Sequence, residues 1–174
     1  MKSKRSRLLR MDNVSIVVED LQAAIAFFVE LGMKLEGETT VEGKWVDRVL
    51  GLEGVRSDIA MLMAPDGGCR LELSTFRKPA PIATESEMPV NTQGKHRIMF
   101  AVTGIDDVVA RLKKLGAELV GEVVRYEDIY RLCYLRGPEG IIIALAEQLG
   151  GESVTDILKR EYAVGDSDKL VAER

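Results

Sequence analysis

Few side chains in this sequence are of types that do chemistry, and their spacing excludes several common active sites. The chain contains one histidine, His96, and two cysteines, Cys69 and Cys133, which lie far apart and form no Cys-x-x-Cys pair. We find no glycine-rich phosphate loop, no Ser-His-Asp arrangement and no paired-carboxylate motif. Because the two cysteines are far apart and unpaired in this way, we interpret both thiols as reduced, as in a cytoplasmic protein. A nucleophilic cysteine would need a partner base, and the only histidine in the sequence is His96.

Aromatic and basic side chains offer a second kind of chemistry, the binding of a small organic molecule. Trp45 and Arg48 fall in the apolar stretch 45–50, which we interpret as a strand. An indole in such a place could stack on a planar ligand. A lone tryptophan on a strand is more often simple packing, so both interpretations of Trp45 stay open.

A further candidate strand lies near residues 130–136. Alternation places Tyr134 and Arg136 on one of its faces and Arg131 on the other. These three side chains therefore cannot all serve one cavity, and Tyr134 is the candidate for a ligand pocket.

An internal repeat organises the elements that must position these side chains. Residues 17–38 align without a gap with residues 101–122. Each copy follows a run of alternating apolar residues, typical of a strand with one face on a helix layer, and continues as a helix with one apolar face. A Pro-acid-Gly turn follows in each half, at 65–67 and 138–140. Each half is therefore predicted to be a βαβββ module.

Local signals predict where the helices and strands begin and end. Asp20 and Asp106 are expected N-terminal caps, because a short carboxylate can accept hydrogen bonds from free backbone N–H groups. Gly32 and Gly116 are expected to end the helices, because glycine readily adopts the left-handed conformation found there. The strands that should follow the helices are 45–50, 55–63 and 69–76 in the first half, and those near 118–124, 130–136 and 141–148 in the second.

These elements divide the chain into five segments. We predict a basic, solvated tail over 1–10, a first module over 11–76, a linker over 77–94, a second module over 95–149 and a polar extension over 150–174 with one short helix. The basic tail could touch nucleic acid or membrane, but the net charge of −4 gives no overall basic field. The sequence also lacks an apolar run of about 18 residues and an export signal. We expect a cytoplasmic protein that binds neither nucleic acid nor membrane.

The order of these elements resembles the vicinal-oxygen-chelate superfamily, which includes glyoxalases, methylmalonyl-CoA epimerases, extradiol dioxygenases and bleomycin-resistance proteins. The resemblance covers about residues 11–149 and rests on MDNVSIVVEDLQAAIAFFVELGMKLEGE, RIMFAVTGIDDVVARLKKLGAELVGE and YRLCYLRGPEGIIIALAEQL. It implies an α+β fold in which two tandem βαβββ modules with curved mixed sheets enclose a cavity. It also implies a homodimer, since members commonly pair and the modules leave strand edges that need cover.

In the metal-dependent members of that superfamily, four strands each send one ligand to a central cation. The resemblance places the usual histidines on Asn13 and Arg97 and the usual acidic ligands on Glu72 and Ala144. Glu72 alone is a good ligand, since alanine offers no donor atom and arginine stays charged and cannot ligate a cation. We therefore expect no metal and no other cofactor.

His96 lies one residue from one of these positions, but strand alternation argues against a role as ligand. The apolar residues at 98, 100 and 102 should face the helix, and His96 shares their face, whereas Arg97 and Met99 face the cavity. A bulge could re-aim His96. The alternative is a strand-end histidine near the surface.

Three functions remain open at this point. The first is a module similar to bleomycin-resistance proteins that binds a small organic ligand without metal. The residues expected to line its pocket are Asn13, Trp45, Arg48, Met99, Tyr134 and Ala144. The second is a glyoxalase- or epimerase-type lyase or isomerase, with Glu72 as general base and Arg97 stabilising an enolate oxygen. The third is a regulatory protein that binds a partner through its C-terminal extension. We expect Arg97 to form an ion pair with Glu72, which could serve the pocket or act as a structural strut between the modules.

Overall fold

The computed structural model describes residues 10–83, 85 and 87–150 of the chain. The first half contains β1 (Asn13–Val17), α1 (Leu21–Leu31), β2 (Lys34–Glu42), α2 (Lys44–Leu50), β3 (Arg56–Met63) and β4 (Arg70–Lys78). The second half contains β5 (Arg97–Val102), α3 (Ile105–Lys114), β6 (Glu118–Leu119), β7 (Val124–Tyr126), β8 (Tyr130–Arg136) and β9 (Ile142–Gln148). The predicted basic tail before residue 10 and the extension after residue 150, with its short helix, lie outside the described residues.

The strands of the described residues form two mixed sheets that share one topology. The first sheet has the order β1-β4-β3-β2, in which β1 is parallel to β4 and the other neighbours are antiparallel. The second has the order β5-β9-β8-β6, with β5 parallel to β9 and with β7 also paired to β8. Because β1 and β5 hold equivalent edge positions, the predicted α+β fold of two tandem βαβββ modules is confirmed.

One hydrophobic core joins the two modules. Helices α1 and α3 bury their apolar faces in it, and so do the helix-facing sides of both sheets. The helices also contact each other, since Nη1 of Arg111 donates to the carbonyl and the carboxylate of Glu30, each at 2.6 Å. Because both sheets turn one face toward this core, their opposite faces point away from it. We call these opposite faces the outer faces of the sheets. Among the described residues, no helix is long and apolar enough to cross a membrane.

The ends of α1 follow the sequence-based predictions. The Asp20 carboxylate accepts a hydrogen bond from the N–H of Ala23 at 2.9 Å, so Asp20 is the predicted N-cap. Gly32 ends the helix with φ of 119°, in the left-handed region that favours glycine.

The start of α3 differs from the prediction. The helix begins after Gly104, whose N–H donates to the carboxylate of Glu147 on β9. Asp106 lies in the first turn instead, so its predicted role as N-cap is wrong. Gly116 lies just beyond the end of α3 with φ of 85°, which agrees with a glycine stop.

The strand predicted at 45–50 is wrong, because this stretch forms the helix α2. It begins after Gly43, where φ is 107°, and it buries only Val46 and Asp47. The strand that the prediction missed is β2, which precedes this helix. Its residues are polar and mostly exposed, so they give no pattern of alternating apolar residues.

The Asp47 carboxylate of α2 accepts a hydrogen bond from the N–H of Val55 at 2.8 Å. That hydrogen bond lowers the pKa of Asp47, because it favours the charged form. The strand predicted near 118–124 is likewise divided into two short strands, β6 and β7.

Candidate functional site

A small polar cluster lies on the outer face of the first sheet, where β1 pairs with β4. Ser15 and Glu72 are direct neighbours in this pairing, so their side chains share the face. The half-buried Glu72 carboxylate accepts a hydrogen bond from Oγ of Ser15 at 2.8 Å. Nδ2 of Asn13 donates to the other carboxylate oxygen at 3.5 Å. Glu72 is therefore held by two neutral donors from β1.

The predicted pair between Glu72 and Arg97 is not part of the structure. Arg97 begins β5 and is exposed, and its guanidinium carbon lies 5.5 Å from the centroid of the Tyr134 ring. Among the described residues, the contact with the Tyr134 ring is the one side-chain interaction that Arg97 makes. Glu72 lies on β4 of the first sheet and Arg97 on β5 of the second, and each contacts a residue of its own sheet.

Strand pairing puts a regular grid of side chains on the outer face of the second sheet. Two rows cross β5, β9 and β8 in that order: Arg97, Ile142 and Arg136, then Met99, Ala144 and Tyr134. Ala144 is only 2 % exposed, because its larger neighbours flank it on both sides. Met99, on one side, is 58 % exposed. The structure thus brings together Arg97, Met99, Tyr134 and Ala144 from the predicted site.

Arg131 faces the helix side of β8, as the alternation predicts. Its two Nη atoms donate to the two carboxylate oxygens of Asp106, each at 2.7 Å. This pair lowers the pKa of Asp106, because the hydrogen bonds and the positive charge favour the carboxylate. Arg131 therefore ties the first turn of α3 to the second sheet and does not belong to the outer-face cluster.

Arg136, at the end of β8, is covered by the segment that connects the modules. Its Nη2 donates to the carbonyl oxygen of Met88 at 3.1 Å, and its Nε lies 3.6 Å from a carboxylate oxygen of Glu87. The Arg136 side chain is 13 % exposed, and that of Glu87 is 80 % exposed. Strand alternation places Arg136 on the same face as Tyr134, but nothing in the sequence indicates that residues 87 and 88 contact Arg136.

Two clefts flank the seam between the strand edges β1 and β5. One has a volume of about 400 Å³ and is mainly apolar, and Met99 and Cys69 are among the residues that line it. The other has a volume of about 270 Å³ and contains His96, Ser15 and Glu139. His96 precedes β5 and is exposed, as expected for a histidine at a strand end.

Trp45 and Arg48 lie outside the outer-face clusters. Both are exposed on α2, and Trp45 is 64 % exposed. Their predicted strand position is wrong, and their role in ligand binding stays a prediction.

The residues at the four family positions do not fit a metal ion. Ala144 has no donor atom, Arg97 brings a fixed positive charge, and the amide of Asn13 already donates to Glu72. One carboxylate is too few, since a divalent metal in such a site needs three or more good protein ligands. Within the described part of the chain, no group of three or more His, Cys, Asp or Glu side chains is arranged to hold a metal ion.

Comparison with known proteins agrees with this architecture. The model of the glyoxalase/bleomycin resistance protein/dioxygenase superfamily matches residues 10–145. A curated relative, the uncharacterized protein YwbC of Bacillus subtilis (strain 168), is 30% identical over 134 residues, which is 75% of this chain and 91% of that protein.

Solved structures show the same fold. The crystal structure of a glyoxalase family protein from Bacillus cereus is 57% identical, with a TM-score of 0.81 over 86% of this chain and 99% of that one. A variant of the fosfomycin resistance protein FosX from Listeria monocytogenes, solved with Mn(II) and a dihydroxypropylphosphonic acid, is 16% identical. Its TM-score is 0.56 over 90% of this chain and 99% of that one, and at this identity the likeness concerns the fold alone.

Proposed function

Because this chain belongs to the glyoxalase/bleomycin resistance protein/dioxygenase superfamily, we propose that it binds a small organic molecule without a metal ion. The binding surface is the outer face of the second sheet, assisted by the Glu72 cluster of the first. The observation that carries the proposal is the set of side chains at the four family positions. Where the metal-dependent members have a ligand, this chain has the guanidinium of Arg97 beside the ring of Tyr134 at one position. At another position it has Ala144, which offers no ligand atom.

Such a surface suits an organic ligand for physical reasons. Ala144 has the smallest side chain in its row and is flanked by the larger side chains of Met99 and Tyr134. A compact apolar group placed there would bury surface against a thioether and an aromatic ring, both of which contact organic ligands favourably. The guanidinium of Arg97 would supply the polar contacts that orient the ligand.

A thermal-shift screen of small organic molecules, run with and without excess chelator, tests the proposal. A ligand that binds the folded state raises Tm by mass action, and this rise should survive the chelator. Ala144→Leu should abolish the rise in Tm, because the larger side chain fills the space between Met99 and Tyr134. Ala110→Leu, at an exposed position on α3, should leave the rise in Tm unchanged. A rise that needs a divalent metal, or that survives Ala144→Leu in a folded variant, would reject the proposal.

A second candidate function is metal-independent proton abstraction by Glu72. The hydrogen bonds from Ser15 and Asn13 fix the carboxylate on an outer face, where it could remove a proton from a carbon acid as a glyoxalase- or epimerase-type lyase or isomerase requires. The test is exchange of C–H for deuterium in small 2-hydroxy carbonyl compounds in D₂O. Glu72→Gln should abolish exchange and Glu53→Gln, at an exposed loop position, should not. Absence of exchange with every compound would leave the binding function alone.

The cellular setting that we propose follows from charge and cysteine content. The free thiols of Cys69 and Cys133 suit the reducing cytoplasm. The net charge of −4 favours a small molecule over nucleic acid as the partner.

A further inference from the structure

The two clefts that flank the seam between β1 and β5 occupy equivalent places in the internal repeat. In the register of the repeat, residues 14–17 of β1 correspond to residues 98–101 of β5. Residues 98–101 line the larger cleft together with the turn before β4, and residues 14–17 line the smaller cleft together with the turn before β9. The two clefts therefore share a backbone plan, and their side chains make them chemically different.

The larger cleft, which we call the apolar cleft, has a volume of about 400 Å³. Met33 and Leu71 belong to its lining and are only 6 % and 3 % exposed. Val14, Ile98 and Phe100 also line it, and these three side chains pack against the core but stay partly exposed. The core thus leaves apolar surface uncovered in this cleft, and an apolar ligand would remove that surface from water.

The charged groups of the apolar cleft already have partners within the protein. Among the described residues that line it, Asp66 and Arg70 are the charged ones. The Asp66 carboxylate accepts a hydrogen bond from the N–H of Gly68 at 2.9 Å. Nε of Arg70 donates to the Glu36 carboxylate at 2.8 Å. Because an ion that entered the cleft would lose water without gaining a free counter-charge, the cleft favours a neutral ligand.

The smaller cleft has a different character, although its backbone plan is equivalent. Its volume is about 270 Å³, and Ser15, Lys95, His96 and Glu139 give it a partly polar lining. In the register of the repeat, Ser15 stands where the apolar cleft has Met99. The apolar lining is therefore a feature of one cleft and not of the seam in general.

We propose that the apolar cleft is a second small-molecule site, which binds a neutral, apolar molecule of the size of a substituted benzene ring. The inference goes beyond the proposed function, because the cleft lies at the seam and shares only Met99 with the row that contains Ala144. A volume of about 400 Å³ is within the usual range for small-molecule sites, about 300–1,000 Å³. The thioether of Met33 and the ring of Phe100 are groups that contact aromatic molecules favourably.

Toluene, benzoate and benzylammonium are matched probes, because the same ring carries a neutral, an anionic or a cationic substituent. Methyl-¹³C methionine NMR on the full chain locates their binding, since Met33 lines the cleft and Met61 and Met88 do not. Toluene should shift the Met33 methyl signal in a saturable way and leave the signals of Met61 and Met88 unchanged. The affinity for toluene should be at least about tenfold higher than that for either ion.

The two cysteines provide an independent measurement of occupancy. Cys69 lines the cleft and is half-buried, whereas Cys133 is buried in the core. Saturating toluene should slow the alkylation of Cys69 by iodoacetamide about threefold or more, because the ligand limits access to the thiol. The alkylation rate of Cys133 should not change. Cys69 is only a reporter in this experiment.

Filling the cleft is the mutational test, and the repeat supplies its control. Ala101→Leu enlarges a side chain of the apolar cleft, and Val17→Leu enlarges the equivalent side chain of the smaller cleft. Both positions are exposed. Ala101→Leu should weaken toluene binding about tenfold, and Val17→Leu should leave it unchanged. Ala64→Leu, at another position of the lining, gives the same test if Ala101→Leu does not fold.

Failure of this inference differs from failure of the proposed function. A toluene shift at Met99 without one at Met33 would place the probe on the outer face, which overturns the inference and leaves the proposed function intact. Toluene binding that changes neither the reactivity of Cys69 nor the affinity in Ala101→Leu would show that the cleft is not the site. Benzoate or benzylammonium bound in the cleft as tightly as toluene would reject a neutral ligand. No saturable shift up to the solubility limit of toluene would also overturn the inference, and the chelator-tested ligand screen alone would then decide the proposed function.

Discussion

At the scale of single residues, the proposed function depends on the side chains at the four family positions. A histidine at position 97 would point a nitrogen ligand at a cation, but the arginine there extends to the ring of Tyr134 instead. Glu72 accepts hydrogen bonds from two neighbours on β1, the amide of Asn13 and the hydroxyl of Ser15. The chemistry that we propose for the site therefore depends on the fixed charge of Arg97 and on one carboxylate held by neutral groups.

The first residue-scale prediction concerns Arg97→Ala. Because Arg97 is exposed and contacts Tyr134 rather than Glu72, the substitution should lower the free energy of unfolding by about 0.5–1 kcal/mol, the size of an exposed cation–π contact. Urea denaturation measures this change. A loss of about 3–5 kcal/mol would instead indicate that Arg97 neutralises a buried carboxylate. Tyr134→Leu, which removes the aromatic face, should cancel most of the effect in a double-mutant cycle.

A second residue-scale prediction concerns the acid stability of the first module. Thr40 donates to the Asp58 carboxylate at 2.7 Å and Arg77 at 2.8 Å. The hydrogen bond from Thr40, followed by that from Arg77, lowers the pKa of Asp58. A lowered pKa in the folded state stabilises the protein above the unfolded-state pKa, and this contribution is lost as the pH falls through the folded-state value.

Thr40→Val should therefore raise the pKa of Asp58 toward its ordinary value and reduce the stability lost on acidification. Titration of the Asp58 carboxyl carbon by NMR and urea midpoints between about pH 2 and 7 measure both effects. Thr39→Val, the neighbouring exposed threonine of β2, is the control. An unchanged Asp58 titration in Thr40→Val would contradict the assignment.

At the scale of elements, the ends of helices and turns connect the two halves of the chain. The Glu139 carboxylate, in the turn before β9, accepts hydrogen bonds from the N–H of Glu19 at 2.7 Å and of Asp20 at 2.9 Å. It thus covers the positive N-terminal end of α1, which belongs to the other module. Glu139 holds a φ of 54°, which a non-glycine residue rarely adopts. We infer that contact with α1 compensates for this backbone strain.

Glu139→Ala should destabilise the protein by about 1 kcal/mol, the usual cost of removing a helix cap. Glu139→Gln should retain part of that free energy, because its amide oxygen still accepts a hydrogen bond. Thermal or urea unfolding measures both variants. Glu127→Ala is a matched control, since Glu127 also has positive φ, 47°, and is exposed. Equal effects at the two positions would show that backbone strain, and not capping, is responsible.

At the scale of the whole molecule, we expect the two modules to unfold together because they share one hydrophobic core. Phe27 of α1 is completely buried, and its ring packs against Gly137 of the second module. A Cβ atom at position 137 would lie 2.9 Å from Cζ of Phe27. The contact between modules is therefore tight enough that one methyl group cannot be added without movement.

Gly137→Ala should lower the free energy of unfolding by about 1–3 kcal/mol, as overpacking does in a well-packed core. Gly121→Ala, where nothing lies within 4 Å of the added Cβ, should change it little. Unfolding of the first variant should remain a single transition by far- and near-ultraviolet circular dichroism. Separate transitions for the two halves would contradict a shared core.

Assembly is the second whole-molecule prediction, and we propose a homodimer. The outer faces leave large apolar side chains exposed, including Val17 at 52 % and Met99 at 58 %. A second copy could cover the edges of β1 and β5, the two strands that carry these side chains, and leave the rest of the outer faces open to a ligand. Sedimentation equilibrium at micromolar concentration should give twice the chain mass of 19.2 kDa. Met99→Lys should weaken the dimer and Leu115→Lys, at the end of α3, should not. A monomeric mass for the unmodified protein would reject the proposal.

The sequence by itself determined the repeat and most of the elements that it specifies. Alternating apolar residues, helical apolar faces and the Asp20 and Gly32 caps act through neighbours in the chain, so their physics is local. The same alternation correctly put Tyr134 and Arg136 on one face. Local rules failed at 45–50, because an apolar run this short fits a strand or a helix, and at β2, whose exposed polar residues give no burial pattern.

Only the tertiary structure decided which side chains of the candidate site meet. Glu72 and Arg97 both occupy family ligand positions, yet Glu72 is bound by Ser15 of the first sheet and Arg97 contacts Tyr134 of the second sheet. The approach of Glu87 to Arg136 depends on the path of a segment without periodic structure. Contacts between residues far apart in the chain depend on how modules pack, and hydrophobic burial, which drives that packing, does not specify which polar groups meet.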